Sequence, residues 1–270
     1  MRQYAAKRIV LFVPTVLLVT IIVFVVMRLV PGDPALAILA EGGGQFTQVD
    51  LDELRHKLGT DRNMAAQYFT WIGNAVQGNF GDSFWFEAPV MTELKSRIPV
   101  TIQLAVMSII IAVVFAVPLG ILSAIKPDSW LDHAARTFTL VGIAIPNFLA
   151  AIFLILFLLI AFNWLPPLGY ETLWDNPLTN LKQMIFPALA LAFYEMAFIA
   201  RVTRSSMLEI IREDYMRTAR SKGLAEGVVV IRHGLKNAVL PILTISGWQF
   251  GRLFGGTVII ETIFLVPGMG

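Results

Sequence analysis

Residues 214–241 read DYMRTARSKGLAEGVVVIRHGLKNAVLP, a basic, polar, helix-forming island set between two apolar runs of membrane length. Glu213 and Asp214 open it, Arg217, Arg220 and Lys222 follow, and Gly223 closes the first part. Acids near a helix start and bases near its end suit the macrodipole, and a glycine just past the end supplies the left-handed residue that stops the helix. The order of residues predicts a short helix lying outside the lipid and gripped by something. The competing reading is an ordinary positive loop that only fixes topology.

Around this island the chain is apolar: 56% of its 270 residues are hydrophobic and 15% are charged. Mean hydropathy is +0.70. Such values lie far outside those of a water-soluble domain, so the chain reads as an integral membrane protein. Net charge is +2 and the bases are concentrated rather than spread, which excludes nucleic acid as a partner. With no cysteine there is no disulfide, thiolate nucleophile or thiolate metal site, and the redox compartment stays open.

Five apolar runs, at about 9–30, 99–125, 137–162, 183–203 and 238–262, are each near the length that crosses a bilayer. The first follows Arg2, Lys7 and Arg8 and precedes Ala35-Leu36-Ala37, as a secretory signal would. It is too long for a signal core and reads as a retained span. Pro118, Pro146 and Pro187 fall in or near the runs, which suggests kinked helices in a packed bundle. Arg2, Lys7 and Arg8, then Lys126 and Arg136, then seven bases from Arg204 to Lys236 all fall on one side. By the positive-inside rule that side, with the N-terminus, is cytosolic.

Residues 31–98 then form a small helical extracytoplasmic cap. Thr47 with Asp50 makes a capping-box start, Leu51, Leu54 and Leu58 form one stripe, and Gly59 ends it. A second helix is expected from Asn63 to about Val76, and Pro89 can open a third that runs into the next span. No repeat is visible, and Gly42–Gly44 is the one low-complexity tract.

Catalytic chemistry is scarce. No G-x-x-x-x-G-K-[ST] loop occurs, so the chain is not expected to hydrolyse ATP, and energy must come from a partner or a gradient. His56, His133 and His233 stand in separate extramembrane segments without metal-site or Ser-His spacing. No cofactor and no metal is expected. Glu195, Arg252 and Glu261 lie in apolar runs, where ionisable groups are costly and point to function. At about 1.5 Å per residue, Glu195 and Arg252 sit near ~13 Å and ~21 Å depth, so they pair only through extended side chains. Arg28, Arg201 and Arg204 read as snorkelling at span ends. Gly247, Gly251 and Gly255 recur every four residues, a ridge for close helix packing that is also compatible with lining a pathway.

The island resembles the cytoplasmic coupling motif of the permeases of ATP-binding-cassette (ABC) importers, in their peptide and nickel branch. Other segments resemble the same family in order: Leu29 to Pro34 (LVPGDP), Gly78 to Ser83 (GNFGDS), Ile145 to Phe148 (IPNF), Arg201 to Ser206 (RVTRSS), and Gly255-Gly256-Thr257 through Glu261-Thr262-Ile263-Phe264 to Pro267-Gly268. The family's pattern is Glu-Ala-Ala, three residues, then Gly. Here Arg217-Thr218-Ala219 precede Gly223, departing as the peptide and nickel branch departs.

The resemblance implies a type I importer transmembrane domain spanning 1–270, all-α, with five spans present of six expected. It implies a bacterial or archaeal cytoplasmic membrane, a second similar permease, two ATP-binding subunits and an extracytoplasmic solute-binding protein. The segment 204–237 becomes the coupling element, with Asp214, Tyr215, Arg217, Thr218, Ala219, Arg220, Lys222, Gly223 and Leu224 as its site and Ala219 small enough to seat in a groove. ATP would close the partner dimer, move the 214–236 helices and switch the bundle from inward- to outward-facing. Cargo is expected to be di- or oligopeptide, with glutathione, nickel chelate and oligosaccharide open. The alternative class, a gradient-driven transporter or channel, has support only from Glu195.

Overall fold

The computed structural model describes residues 2–41, 46–83 and 88–270, so the Gly42–Gly44 tract lies outside the described residues. The chain divides into two units, Met1–Glu93 and Leu94–Gly270.

In the first unit α1 (Arg2–Leu29) is long enough to cross a bilayer, and its apolar side chains are exposed along nearly the whole length. Thr15 and Thr20 return their hydroxyls to the carbonyls of Leu11 and Leu17, so neither needs water. Asp33 then caps α2 (Pro34–Glu41) by accepting from the Ala35 amide, with Pro34 at the first helical position. α3 (Gln48–Leu58) carries the capping box of Thr47 and Asp50 and ends at Gly59, φ 66°. From α3, Arg55 reaches back to Asp33 at 2.6 Å, and its hydrogen bond holds the Asp33 carboxyl below the usual range. α4 (Met64–Val76) starts at the Asn63 cap. Its Tyr68 hydrogen-bonds Thr20 at 3.0 Å and meets Phe24 edge-on, so α4 rests on α1. Gly78 and Gly81, both at φ 79°, turn the chain toward Pro89.

α5 (Val90–Ile125) is one unbroken helix of 36 residues through Pro99 and Pro118. The second unit continues with α6 (Trp130–Ala144), α7 (Asn147–Phe162), α8 (Pro177–Ile211), α9 (Asp214–Ser221), α10 (Glu226–Val228), a π-helical stretch Val229–Leu235, α11 (Lys236–Gly256) and α12 (Val258–Ile263). α8 is the centre: Met184, Ala188, Leu191, Ala197, Ile199 and Met207 are fully buried. It packs against α6, α7, α11 and α12. Small residues let backbones close in. A Cβ at Gly120 would stand 2.6 Å from Thr203 Cβ, and one at Gly142 2.6 Å from Ala197 Cβ.

Several expectations are corrected. The span expected at 137–162 is not one helix: α6 and α7 meet at a bend of 110°. Pro146 has no amide to donate and pushes Ile145 into the extended region, φ −82° and ψ 121°. The run at 183–203 belongs to a helix reaching from Pro177 to Ile211, and that at 238–262 to a helix that begins at Glu226 and breaks at Thr257. The ridge of Gly247, Gly251 and Gly255 is left open by the described residues of this chain, a Cβ at any of them finding open space within 4 Å, and its packing on another subunit stays an expectation. Close packing within this chain falls instead at the isolated Gly120 and Gly142.

Candidate functional site

The polar island folds as two short helices clamped together. α9 follows Glu213 at its N-cap and stops just before Gly223, which takes φ 77°, as its sequence predicts. The Arg220 guanidinium grips the Glu226 carboxylate at 2.9 and 3.0 Å, joining α9 to α10 across that turn. Asn237 Nδ2 donates to Tyr215 Oη at 3.0 Å and ties α9 to the start of α11. Neither tie was foreseen, although Glu226 stands one turn beyond the glycine stop.

The two faces of α9 differ. Met216 and Ala219 are buried against Val229, Ile210 and Ile211. Ala219 therefore packs inside its own chain, which corrects the expectation that its small side chain seats the helix in a partner's groove. Asp214, Tyr215, Arg217, Thr218, Lys222, Gly223 and Leu224 face outward, Arg217 with 74% of its side chain exposed. Beside them Val228 and Ile231 add exposed apolar surface. The result is a knob, tied by Arg220–Glu226 and Tyr215–Asn237, with a mixed basic and apolar surface.

A second cluster lies deep in the apolar runs. Glu195 of α8 is fully buried, and Arg252 of α11 reaches it through Nη2 at 2.7 Å. Arg252 Nε donates to Gln249 Oε1 at 3.1 Å, and the guanidinium carbon lies 4.3 Å from the Tyr194 ring centre. The depth count expected this pair only with extended side chains, because it took both helices as ending on one level. α8 in fact runs on to Ile211, so the ends mark no common plane. A cavity of about 270 Å³ opens beside Arg252, walled by Tyr194, Gly256, Ile260 and the bend at Pro146-Asn147.

Arg204 does not snorkel. It forms an ion pair with the fully buried Asp132 at 2.6 Å, and Ser123 completes the contact. The sequence reading missed Asp132: it stands in the first turn after Ser129, whose hydroxyl accepts from its amide, and nothing local points to a partner 72 residues away. Glu261 is likewise buried and partnered, accepting from Thr101 Oγ1 and the Gly270 amide, each at 2.8 Å. Among the described residues no group of three His, Asp or Glu is placed to hold a metal ion.

Comparison with known proteins matches residues 116–270 to the family described as binding-protein-dependent transport system inner membrane component. Residues 1–105 match that family's N-terminal membrane component. The oligopeptide transport system permease protein AppB of Bacillus subtilis is 38% identical over 273 residues, covering 100% of this chain and 85% of AppB. The glutathione transport system permease protein GsiC of Shigella flexneri is 37% identical over 270 residues, again 100% of this chain and 85% of the relative.

Proposed function

This chain belongs to the family of binding-protein-dependent transport system inner membrane components, and we propose that it forms half of the translocation pathway of a peptide importer. It is a multi-pass inner-membrane permease subunit. The observation that carries the peptide reading is similarity along the full chain to permeases named for oligopeptide and glutathione transport. Glutathione is itself a small peptide, so the two names share one chemistry.

The working assembly pairs this subunit with a second permease, two ATP-binding subunits and a solute-binding protein outside. ATP is hydrolysed on those partners. The knob formed by α9 and the π-helical turn, with Tyr215, Arg217, Lys222 and Leu224 outward, is the surface offered to an ATP-binding subunit. Its internal ties through Arg220–Glu226 and Tyr215–Asn237 support this role, because a pushed element must be stiff to transmit motion. ATP binding then favours one state by contacts made only there. The N-terminus lies in the cytosol and residues 31–98 outside. Glu195 no longer favours a gradient-driven carrier: its charge is met by Arg252 within the fold.

Reconstitution tests this. The subunit with its cognate partners in proteoliposomes is expected to take up radiolabelled trialanine only with ATP and binding protein present. Uptake driven by an ion gradient without ATP would refute the assignment.

A further inference from the structure

The cavity beside Arg252 is bordered by hydrogen-bond donors lacking acceptors. Arg252 Nη1 has no partner among the described residues, whereas Nε and Nη2 are engaged by Gln249 and Glu195. α7, 16 residues long, starts at this cavity with no side-chain cap. Its first amides with an acceptor are those of Leu149 and Ala150, both on the Pro146 carbonyl; the Asn147 and Phe148 amides have none among the described residues. Among the described residues no carboxylate lines the cavity, and its remaining wall is largely apolar. Behind the guanidinium, outside the cavity wall, the fully buried Glu195 and Gln249 hold its other two nitrogens. Donors left without acceptors beside an apolar intramembrane cavity are costly unless something binds there.

We infer that this cavity is a subsite for the carboxylate of the cargo, with Arg252 as its charge partner and the first amides of α7 as donors. The inference rests on the peptide reading above and narrows it to substrates ending in a free carboxylate. A charged guanidinium nitrogen with amides at a helix start favours an anionic oxygen, and both act more strongly away from water. Tyr194 stacks on the guanidinium and holds its plane.

The test uses the complete importer in proteoliposomes, with trialanine and its C-terminal amide as cargo. Each is supplied at equal occupancy of the binding protein, set from its separately measured affinity. The wild type is expected to carry the free acid about tenfold faster than the amide, the effect of ~1.4 kcal/mol. Arg252→Gln is expected to bring that ratio near one, and Arg252→Lys to keep part of it. Since Arg252→Gln strips Glu195 of its partner, a second variant guards against misfolding. Asn147→Pro removes one amide at a helix position that accepts proline, and Pro146 before it already has the ψ of 145° that proline demands. Its ratio is expected to fall below that of Asn147→Ala. Equal rates for acid and amide in the wild type, or an unchanged ratio in Arg252→Gln, overturn the subsite while leaving the peptide importer standing. If an assembled complex that hydrolyses ATP carries neither tripeptide, the peptide reading falls and the subsite with it.

Discussion

Arg204 holds Asp132 at two points, Nε to Oδ1 at 2.6 Å and Nη2 to Oδ2 at 2.8 Å, although 72 residues separate them. Ser123 donates to the same carboxylate and accepts from Arg204 Nε at 3.0 Å, so α5, α6 and α8 meet at one polar lock. Asp132 is fully buried and Arg204 retains 23% exposure.

Breaking that lock from one side leaves a charge without its partner. Arg204→Met, which leaves the fully buried Asp132 carboxylate without its bidentate partner, is expected to cost about 3–5 kcal/mol, the range for orphaning a buried ion. In thermal melts of the purified subunit this is a fall of roughly 10 °C. The double variant Asp132→Ala with Arg204→Met should lose less than Arg204→Met alone. Strictly additive losses would show that the pair does not act as a unit.

Glycine substitutions separate internal packing from open surface. Gly120→Ala and Gly142→Ala each force a Cβ to within 2.6 Å of α8 side-chain carbon, and each is expected to cost about 1–3 kcal/mol. Gly251→Ala meets nothing within 4 Å and removes a helix-weakening glycine, so it should raise the isolated subunit's stability by about 0.5–1 kcal/mol. Equal destabilisation at all three positions would contradict the packing described.

These positions show which parts of the fold could be read from sequence. Thr47 with Asp50, Asn63, Gly59 and Gly223 were legible because a cap or a left-handed stop is decided within a few residues. Arg204 was not, because its partner enters from another helix and its own neighbours suggest only a span end. The glycine ridge shows that a face is narrow without showing whether this chain covers it. Gly120 and Gly142 show no pattern at all, since a single close approach needs only one small residue. Glu195 and Arg252 stood out as ionisable groups in apolar runs, but pairing them required the relative heights of α8 and α11. Pro146 announced a kink, and its size, 110°, depended on the packing of both halves.

Topology is open to direct chemistry, because a chain without cysteine gives no labelling background. Val49→Cys on α3, 72% exposed, is expected to react with an impermeant maleimide in intact cells. Ser221→Cys on the α9 knob should react only after permeabilisation. The charge asymmetry of the short loops motivates this N-in arrangement. Reaction of Ser221→Cys from outside would reverse it.

The two faces of α9 separate coupling from folding. Arg217 is 74% exposed, so Arg217→Glu should change subunit stability by less than about 0.5 kcal/mol while weakening capture of the cognate ATP-binding subunits in pull-downs. Met216, fully buried against Ala219 and Val229, should behave oppositely: Met216→Ala is expected to cost about 2–5 kcal/mol in melts. Gly223→Val forces a branched side chain to φ 77°, a strain of about 1–2 kcal/mol confined to the turn where Arg220 meets Glu226. Its expected outcome is normal insertion with ATPase activity no longer stimulated by loaded binding protein. Normal uptake by both Arg217→Glu and Gly223→Val at normal expression would place the coupling surface elsewhere. Altered cargo preference with intact ATPase capture would instead put the knob beside the transport path.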